Sequence, residues 1–387
     1  MNTLLVEHIT SVFKKKYKTS PILISAPGRI NIIGEHTDYN EGFVFPAAID
    51  KNLYLAIAKS SEAYCSAYAF DNDESFEFGL DNIQTIIKGD WRNFVLGVVA
   101  EIQKKGKKIE PFNMVFGGDI PNGAGLSSSA ALENSIVFGL NEIFNLNLSK
   151  SEMIFISQQA EHNYVGVRCG IMDQYASMFG LPDHALLLDC RTIEAAPFKI
   201  DLNNYQLVLI NTNVSHNLVD AEYNNRRSVC EKVASLLKVP FLRDASEGDL
   251  NKIKAQISES DYQKALYIIQ ENNRVLKAAK MIQESNLEAL GNLLFEAHEG
   301  AKNQFKISCN ELDFLVEQAK ENPYVLGARM MGGGFGGCTI NIVKNNYINE
   351  FVNDVTREYK TTFGLEASVY YIKLSGGTHV IKNIHQN

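Results

Sequence analysis

The sequence predicts a globular protein of mixed helices and strands that is large enough for two domains. The chain has 387 residues, which is more than one domain of ordinary size. It is 45% hydrophobic and 21% charged, a composition that is typical of chains with an apolar core. Segments of helical and strand-like character follow one another without an internal repeat or a long linker. The two halves of the chain are therefore expected to pack closely.

Helices are predicted where apolar residues recur every three or four positions, and strands where short apolar runs lie between turn residues. In the first half, helices are expected over residues 6–17, 91–102, 130–143 and 151–164, and strands over residues 22–25, 51–59, 63–69, 112–116 and 185–189. In the second half, helices are expected over residues 219–237, 261–283 and 286–297, and strands over residues 205–213 and 369–373. We interpret helices 261–283 and 286–297 as packing elements, and His298 as a surface or capping histidine.

Charge and cysteine usage exclude several classes of protein. The net charge of −8 argues against nucleic-acid binding through bulk positive charge. No run of about 18 apolar residues is present, so no membrane span is expected. The six cysteines form no C-x-x-C pair, which gives zinc and redox motifs no support. Because the N-terminus lacks the features of a signal peptide, we expect free thiols in a reducing cytoplasm.

A glycine loop and three serines occupy residues 121–132, with the sequence PNGAGLSSSAAL. Gly123 and Gly125 can adopt backbone angles that are closed to other residues. Residues 127–129 bring hydroxyls to a helix start, where free N–H groups and a partial positive charge favour a phosphate. An ordinary N-capped helix fits the stretch equally well. The loop is neither a Walker P-loop nor a Rossmann fingerprint, so a nucleotide would have to bind through another fold.

A second dense patch runs over residues 26–49 and combines charged side chains with glycines and isoleucines. Arg29, Glu35, His36 and Asp38 lie within ten residues of one another. Such groups are costly to bury without partners. The hydroxyls of a polyol could act as partners, because carboxylates accept hydrogen bonds from hydroxyls and histidine can donate or accept.

Two further features are ambiguous on pattern alone. Asp173 follows Cys169-Gly170 and is a candidate semi-buried acid, although a helix N-cap is the better interpretation for an isolated Asp. Trp91 and Phe94 could stack on a base, but a core role is commoner for aromatic residues at this spacing.

The last dense patch has five glycines in the six positions 332–337. Its apolar flanks disfavour a flexible linker, so the glycines are expected to let the backbone approach a ligand or another loop.

The three glycine-rich patches, in this order, resemble the three motifs of the GHMP small-molecule kinases. The stretch GRINIIGEHTDYNEG at residues 28–42 is very similar to the galactokinase signature within that family. CGIMDQ at residues 169–174 lies between the second and third motifs. The resemblance extends over nearly the whole chain.

The resemblance implies a sugar site and a catalytic pair. Asp173 would be the catalytic acid–base group that accepts the hydroxyl proton, and Arg29 beside it would favour its charged form and stabilise developing charge. The sugar-binding residues implied by the family, with galactose as the substrate, are Glu35, His36, Thr37, Asp38, Gly170, Asp173 and Tyr223.

The resemblance also implies ATP and Mg²⁺. Ser129 and Glu161 would hold Mg²⁺, and Trp91 with Phe94 would lie near the adenine pocket. The residues that would cradle the ATP phosphates are Gly123, Ala124, Gly125, Leu126, Ser127, Ser128 and Ser129. The implied reaction transfers the γ-phosphoryl group of ATP to the anomeric hydroxyl of galactose, the first committed step of galactose catabolism. A monomer without a protein partner is expected.

The implied fold is a two-domain α+β structure. Residues 1–200 would form a mixed sheet with helices on one side and an unusual left-handed βαβ crossover, which the handedness rule cannot predict. Residues 201–387 would form a ferredoxin-like layer, and the last strand of the chain could rejoin the first half. The site would lie between the halves, where small ligands commonly bind.

Two alternatives stay open at this point. Val167-Arg168 departs from the family pattern, and Arg168 could supply a cation for another sugar such as galacturonate; N-acetylgalactosamine and L-arabinose are further candidates. A non-catalytic galactose sensor is the other alternative. Known sensors of the family lack the Ser-Ala pair that Ser129-Ala130 forms here.

Overall fold

The computed structural model describes residues 1–81, 83–87, 89–214 and 219–382. The helices are α1 (Thr3–Tyr17), α2 (Arg92–Lys104), α3 (Ser128–Phe144), α4 (Lys150–Ala160), α5 (Met172–Phe179), α6 (Val219–Leu237), α7 (Glu247–Lys252), α8 (Glu259–Gln283), α9 (Leu287–Gly300), α10 (Asn310–Glu321) and α11 (Ile348–Phe363). The strands are β1 (Ile22–Asn31), β2 (Phe43–Val44), β3 (Pro46–Lys59), β4 (Cys65–Ala69), β5 (Glu74–Phe78), β6 (Phe112–Gly118), β7 (His184–Asp189), β8 (Glu194–Lys199), β9 (Tyr205–Asn211), β10 (Val325–Met330), β11 (Cys338–Lys344), β12 (Ser368–Tyr371) and β13 (His379–Val380).

The first half is built on a six-stranded sheet of order β13-β1-β3-β6-β4-β5. Strands β4 and β6 are parallel, and the connection between them includes β5 and α2. Alternate residues of β3 point to opposite faces of the sheet: Leu55 and Ile57 belong to the main core, whereas Tyr54 packs with α1. The expectation of helices on one side only was therefore wrong, because the apolar stripe of α1 covers the other face.

The second half contains a four-stranded antiparallel sheet of order β10-β11-β9-β12. In chain order this is the 2-3-1-4 arrangement of a ferredoxin-like βαββαβ unit. Helix α11 forms the second crossover, and its buried residues Phe351 and Val355 pack with α10 beneath the sheet. Helices α6 to α10 fill the long first crossover. The predicted ferredoxin-like layer is confirmed.

Strand β13 returns the chain to the first sheet, where Ile24 pairs with Val380. Just before it, Ile49 bridges Leu374 and Lys373 donates its N–H to Asp50. The strand that returns to the first half is thus β13, whereas the predicted last strand, residues 369–373, forms β12 in the second sheet. The proposed boundary near residue 200 falls between β8 and β9, and it stays a proposal.

The predicted helices and strands of the first two motifs are present with longer bounds, since periodicity locates an element better than it locates its ends. The sequence analysis did not predict β2, β5, β8, β13, α7, α10 or α11, and it gave no bounds for α5, β10 or β11. The surface interpretation of His298 was wrong: it is only 2% exposed, and its Nδ1 accepts the N–H of Met330 at 3.2 Å. Its position at the end of α9 faces β10 rather than solvent.

All six cysteines are free thiols. Among the described residues, no helix combines the length and the apolar character that crossing a membrane requires.

Candidate functional site

A cleft lies where four segments of the chain meet. They are the loop of the first motif (residues 28–42, the sugar-motif loop), the start of α5, helix α6 and the last glycine patch (residues 332–337). Its lining residues are Arg29, Glu35, His36, Asp38, Glu161, Val167, Cys169, Gly170, Met172, Asp173, Tyr223, Gly332 and Gly333. These residues come from both halves of the chain. Most of the predicted sugar-site residues are therefore brought together.

Arg29 and Asp173 form a two-point ion pair at the base of the cleft. Arg29 Nε donates to Asp173 Oδ1 at 2.6 Å, and Nη2 donates to Oδ2 at 2.7 Å. Burial alone would lower the pKa of Arg29, but the charge of Asp173 and the hydrogen bonds to it raise it. The guanidinium therefore stays charged although it is only 5% exposed.

Asp173 is the second residue of α5 and is not its N-cap, which is Ile171. The alternative interpretation of Asp173 as a plain capping residue is therefore wrong. At this position the helix dipole favours a negative charge. A hydroxyl of the glycine loop completes its surroundings, because Ser127 Oγ donates to Asp173 Oδ2 at 2.8 Å. Sequence reasoning assigned Ser127 to phosphates alone and missed this contact.

Glu35 connects the two halves beneath the cleft. Its Oε1 accepts from Arg329 Nη2 and from the N–H of Gly332, each at 2.8 Å, and its Oε2 accepts from Asn31 at 3.0 Å. Arg329 is 2% exposed and also donates to the carbonyl oxygens of Asn31 and Ile32. Sequence reasoning missed Arg329, although a lone arginine between apolar residues and a glycine run was a visible signal.

His36 and Asp38 present polar groups from the same short loop. His36 Nδ1 lies 2.8 Å from Tyr39 Oη, and Nε2 lies 3.2 Å from the carbonyl oxygen of Gly333. Burial lowers the pKa of His36 to about 4. Burial raises the pKa of Asp38 to about 6, and the charge of Asp173 adds to the rise. Both ring nitrogens of the neutral imidazole already have protein partners, whereas Asp38 uses only Oδ1, which accepts the N–H of Tyr39, and keeps Oδ2 for a hydroxyl.

Gly170 packs so closely on Asp38 that a Cβ atom at position 170 would overlap the carboxylate. Only glycine fits there without moving one of the two groups. Tyr223 of α6 closes the cleft from the second half, with its ring centroid 4.9 Å from that of His36. Burial raises the pKa of Tyr223 well above its usual range, so the phenol keeps its proton.

Two expected contributions to the cleft are not observed. Thr37 is buried, and its hydroxyl lies 2.8 Å from the carbonyl oxygen of Gly34 and 2.7 Å from that of Phe43. It shapes the loop and does not line the cleft. Arg168 points outward and pairs with Glu231 at 2.6 Å, so it brings no cation to the cleft.

Helix α8 supports the sugar-motif loop, which the sequence analysis did not predict. The N–H of Gly34 donates to Glu271 Oε1 at 2.9 Å, and the N–H of Phe43 donates to Asn272 Oδ1 at 2.7 Å. Glu271 is fully buried and paired with Arg274. The interpretation of this helix as packing alone was therefore incomplete.

A separate groove opens beside the glycine loop. Its lining residues are Leu53, Ala69, Asp71, Asn72, Trp91, Phe94, Phe116, Asn122, Ser128, Ser129 and Leu132. Trp91 and Phe94 thus lie in one groove with the helix-start serines, as an adenine pocket next to a phosphate site requires.

The loop itself has the backbone that a phosphate site needs. Gly123 and Gly125 have φ of 68° and 71°, and Ser127 has φ of 60°. Ser127 makes no side-chain capping bond at the start of α3, so the simple N-cap interpretation fails. The first N–H groups of α3 are therefore left for a ligand.

Ser129 and Glu161 meet at the inner end of the loop. Burial raises the pKa of Glu161 to about 7, the charge of Asp173 adds to the rise, and hydrogen bonds from Cys169, Ser129 and Gln174 oppose it. One hydroxyl and one carboxylate beside a phosphate loop are the oxygen ligands that Mg²⁺ prefers when phosphates supply the others. The residues present therefore fit a magnesium ion.

A further buried carboxyl, that of Glu133, lies behind this pair and was missed by the sequence analysis. Gln174 Nε2 donates to Glu161 Oε2 at 2.9 Å and lies 3.4 Å from Glu133 Oε2. Burial and the charge of Glu161 raise the pKa of Glu133 well above its usual range. Glu133 lies one helical turn after Ser129 in α3, which places both side chains on the same face.

The last glycine patch packs against the glycine loop. A Cβ atom at Gly332 would come within 3.4 Å of the carbonyl oxygen of Gly125, and one at Gly337 within 3.6 Å of Ala124. Gly332 and Gly337 have φ of 88° and 81°. The patch therefore serves the close approach of two loops, one from each half.

Comparison with known proteins identifies the family. A curated galactokinase from Clostridium acetobutylicum is 38% identical over 386 residues, which cover 98% of each chain. The chain belongs to the galactokinase family. A second member, from Thermosipho africanus, is 40% identical over 359 residues that cover 93% of this chain and 99% of the relative.

Family models agree with this assignment. The galactokinase galactose-binding signature matches residues 11–59, and the GHMP kinase N-terminal and C-terminal models match residues 93–181 and 275–361. Each of the three glycine-rich motifs, at residues 28–42, 121–132 and 332–337, falls within one of these matches.

Solved structures give the same fold. The crystal structure of Lactococcus lactis galactokinase complexed with galactose matches with a TM-score of 0.94 and 32% identity, covering 97% of this chain and 100% of that one. Methanococcus jannaschii mevalonate kinase matches with a TM-score of 0.65 and 18% identity, covering 93% and 100% of the two chains. The second match shows the GHMP kinase fold alone.

Proposed function

We propose that this member of the galactokinase family transfers the γ-phosphoryl group of ATP to the anomeric hydroxyl of α-D-galactose, giving galactose 1-phosphate and ADP. The observation that carries the proposal is the position of Asp173. It lines the sugar cleft, pairs with Arg29, and accepts a hydrogen bond from Ser127 of the glycine loop. One carboxylate thus touches both the sugar cleft and the phosphate site.

In this proposal the sugar is held by groups that the fold has already oriented. Asp38, His36 and Tyr223 would exchange hydrogen bonds with galactose hydroxyls, and the Gly170 backbone would close the wall beside Asp38. Glu35 has its oxygens oriented by Arg329 and Gly332 and would accept from one further hydroxyl. Holding the acceptor close to the phosphate in this way supplies much of the catalysis in a phosphoryl transfer.

Asp173 would take the proton of the anomeric hydroxyl. The two hydrogen bonds from Arg29 would hold the carboxylate in a fixed orientation for this step. In a loose transition state the attacking oxygen forms its bond late, so its proton would pass to Asp173 late in the transfer. Arg29 would also stabilise the charge that develops on the transferred group.

The glycine loop and the start of α3 would bind the ATP phosphates through backbone N–H groups, with Ser127, Ser128 and Ser129 beside them. Mg²⁺, held by Ser129 and Glu161, would neutralise phosphate charge. Trp91 and Phe94 would pack on the base in the adjoining groove.

The test is ADP release with Mg-ATP across a panel of galactose, glucose, N-acetylgalactosamine, L-arabinose and galacturonate. We expect the fastest turnover on galactose. Asp173→Asn should keep its fold and lose about 10²–10⁴-fold in turnover, because the general base is gone. A near wild-type rate in this variant would end the assignment of Asp173.

The same panel separates the alternatives. Faster turnover on another sugar would keep the mechanism and change the substrate, although the outward position of Arg168 disfavours galacturonate. Galactose-dependent thermal stabilisation without turnover would favour a sensor. We also keep as predictions a monomeric state and a cytoplasmic location, which six free thiols suit.

A further inference from the structure

Asp71 lines the groove in which Trp91 and Phe94 lie, and the proposed mechanism gives it no role. It follows β4, at the point where the chain turns towards β5. It is a solvent-accessible carboxylate, and it is the one charged side chain among the described residues that line this groove. An acceptor of this kind in a ligand groove requires a donor on the ligand.

The carboxylate has a fixed position. Asp71 Oδ2 accepts the N–H of Gly118 at 2.9 Å. A Cβ atom at Gly117 would lie 3.2 Å from both carboxylate oxygens, so the absence of a side chain there leaves room for Asp71. These two glycines directly follow Phe116, which forms part of the aromatic wall. Asp71 therefore stands at the edge of that wall.

A nucleotide has few groups that can donate a hydrogen bond to this carboxylate. Phosphate oxygens are excluded by like charge. The donors are the 6-amino group of adenine and the ribose hydroxyls. Because flat bases pack against aromatic walls, the edge of the base is the part that meets a group at the end of Phe116.

We infer that Asp71 reads the nucleobase: its carboxylate accepts a hydrogen bond from the 6-amino group of adenine and disfavours bases with a 6-oxo group. The inference rests on the proposed function, since it assigns the base-reading residue of the same nucleotide groove. A 6-oxo group would turn an acceptor towards the carboxylate, so neither the oxo oxygen nor Asp71 Oδ1 would receive a hydrogen bond there.

The protein carries its own reporter for the test. Trp91 is the single tryptophan of the chain and lines the same groove, so nucleotide binding can be followed by its fluorescence without sugar or turnover. The ligands are ADP, IDP and 2′-deoxy-ADP. IDP replaces the 6-amino group by a 6-oxo group and keeps the ribose and phosphates.

A matched pair of variants completes the design. Asp71→Asn keeps an acceptor for the Gly118 N–H and presents an amide that can donate to a 6-oxo group. Asp73→Asn is the control: this neighbouring carboxylate accepts from Tyr68 Oη at 2.6 Å and does not line the groove.

The wild-type protein should bind ADP about 10–100-fold more tightly than IDP, the range for a hydrogen bond to a charged group. In Asp71→Asn the preference should shrink to about threefold or less, mainly through weaker ADP binding. Asp73→Asn should keep the wild-type preference.

An unchanged preference in Asp71→Asn would overturn the inference. So would a wild-type loss on 2′-deoxy-ADP that disappears in the variant, since Asp71 would then read the ribose. If no sugar supports turnover while the preference behaves as expected, the proposed function fails and the base-reading role stands. Galactose turnover with an unchanged preference overturns the base-reading role alone.

Discussion

The cleft proposed for the sugar and the groove proposed for the nucleotide are adjacent in this member of the galactokinase family, but they are built in different ways. The cleft combines loops from both halves of the chain, and Glu35, His36 and Asp38 are buried with protein partners already in place. The described lining of the groove comes from the first half alone, and Asp71 and Ser128 are exposed there.

The difference teaches how recognition is divided between the two regions. In the cleft, folding already orients the side chains, so a bound sugar would find its partners fixed at little further entropic cost. In the groove, the N–H groups of a helix start stay free for the ligand. Substitutions in the cleft should therefore have larger effects than comparable ones in the groove.

The largest expected effect concerns the connection between the halves. Arg329→Met would leave the Glu35 carboxylate buried beside Asn31 and Gly332 only. Removing one partner of a buried ion pair typically costs about 3–5 kcal/mol, so the free energy of unfolding should fall by about that amount. Urea unfolding measures it.

The double variant Glu35→Met/Arg329→Met is the control, because replacing both charges by apolar groups should recover much of the loss. If Arg329→Met alone is as stable as the wild type, the ion pair between Glu35 and Arg329 does not stabilise the contact between the halves.

The second largest effect is expected for the substitution of a glycine in the cleft. In Gly170→Ala the new methyl group overlaps the Asp38 carboxylate, so one of the two must move. A displacement of about 1 Å can cost about 100-fold, and we expect a rise of this order in KM for galactose with little change in ADP affinity. Gly79→Ala is the matched control, since no atom lies within 4 Å of its added Cβ. Equal loss of sugar and nucleotide binding would contradict a local effect.

A smaller effect than that of Gly170→Ala is expected for the pH dependence of galactose binding. The ionised fraction of Asp38 falls as the pH drops through its pKa of about 6, and the ionised form is the better acceptor of hydroxyl protons. Galactose affinity, measured by calorimetry without nucleotide, should weaken below pH 6 by at most about tenfold per pH unit for one proton. His36 stays neutral because its pKa is about 4, so this imidazole adds no step near pH 6.5; Glu161, which also lines the cleft, has a pKa of about 7.

Asp38→Asn should remove the acid limb of this profile. If the variant keeps the same profile as the wild type, the titrating group lies elsewhere.

The smallest effect is expected for a glycine in the groove. A Cβ atom at Gly123 meets no atom within 4 Å, so Gly123→Ala suffers only from its φ of 68°. Strain of this kind costs about 1 kcal/mol, which corresponds to about fivefold in ADP affinity by Trp91 fluorescence. A loss as large as that of Gly170→Ala would contradict the contrast between the two regions.

Sequence reasoning predicted the parts of this structure that local patterns encode. Helical periodicity located α1, α2, α3 and α8, and the resemblance indicated which loops would form the cleft. The closeness of Arg29 to Asp173 was expected from the resemblance, and the structure places them 2.6 Å apart. Their catalytic roles stay predictions.

The missed features depend on partners far apart in the chain. Glu35 pairs with Arg329, 294 positions away, and Gly34 with Glu271, 237 positions away. No spacing rule joins such residues. Thr37 was assigned to the sugar because it lies within the EHTD run, but sequence order does not tell which side chains of a tight turn point inward.

The return of β13 to the first sheet has a mechanical consequence. The chain enters the second half after β8 and leaves it after β12, and residues of both crossings, including Ile200, Asp201 and Lys373, line one surface depression. Both chain connections between the two halves thus lie next to each other. A cut in one of these connections would therefore leave the halves covalently joined through the other.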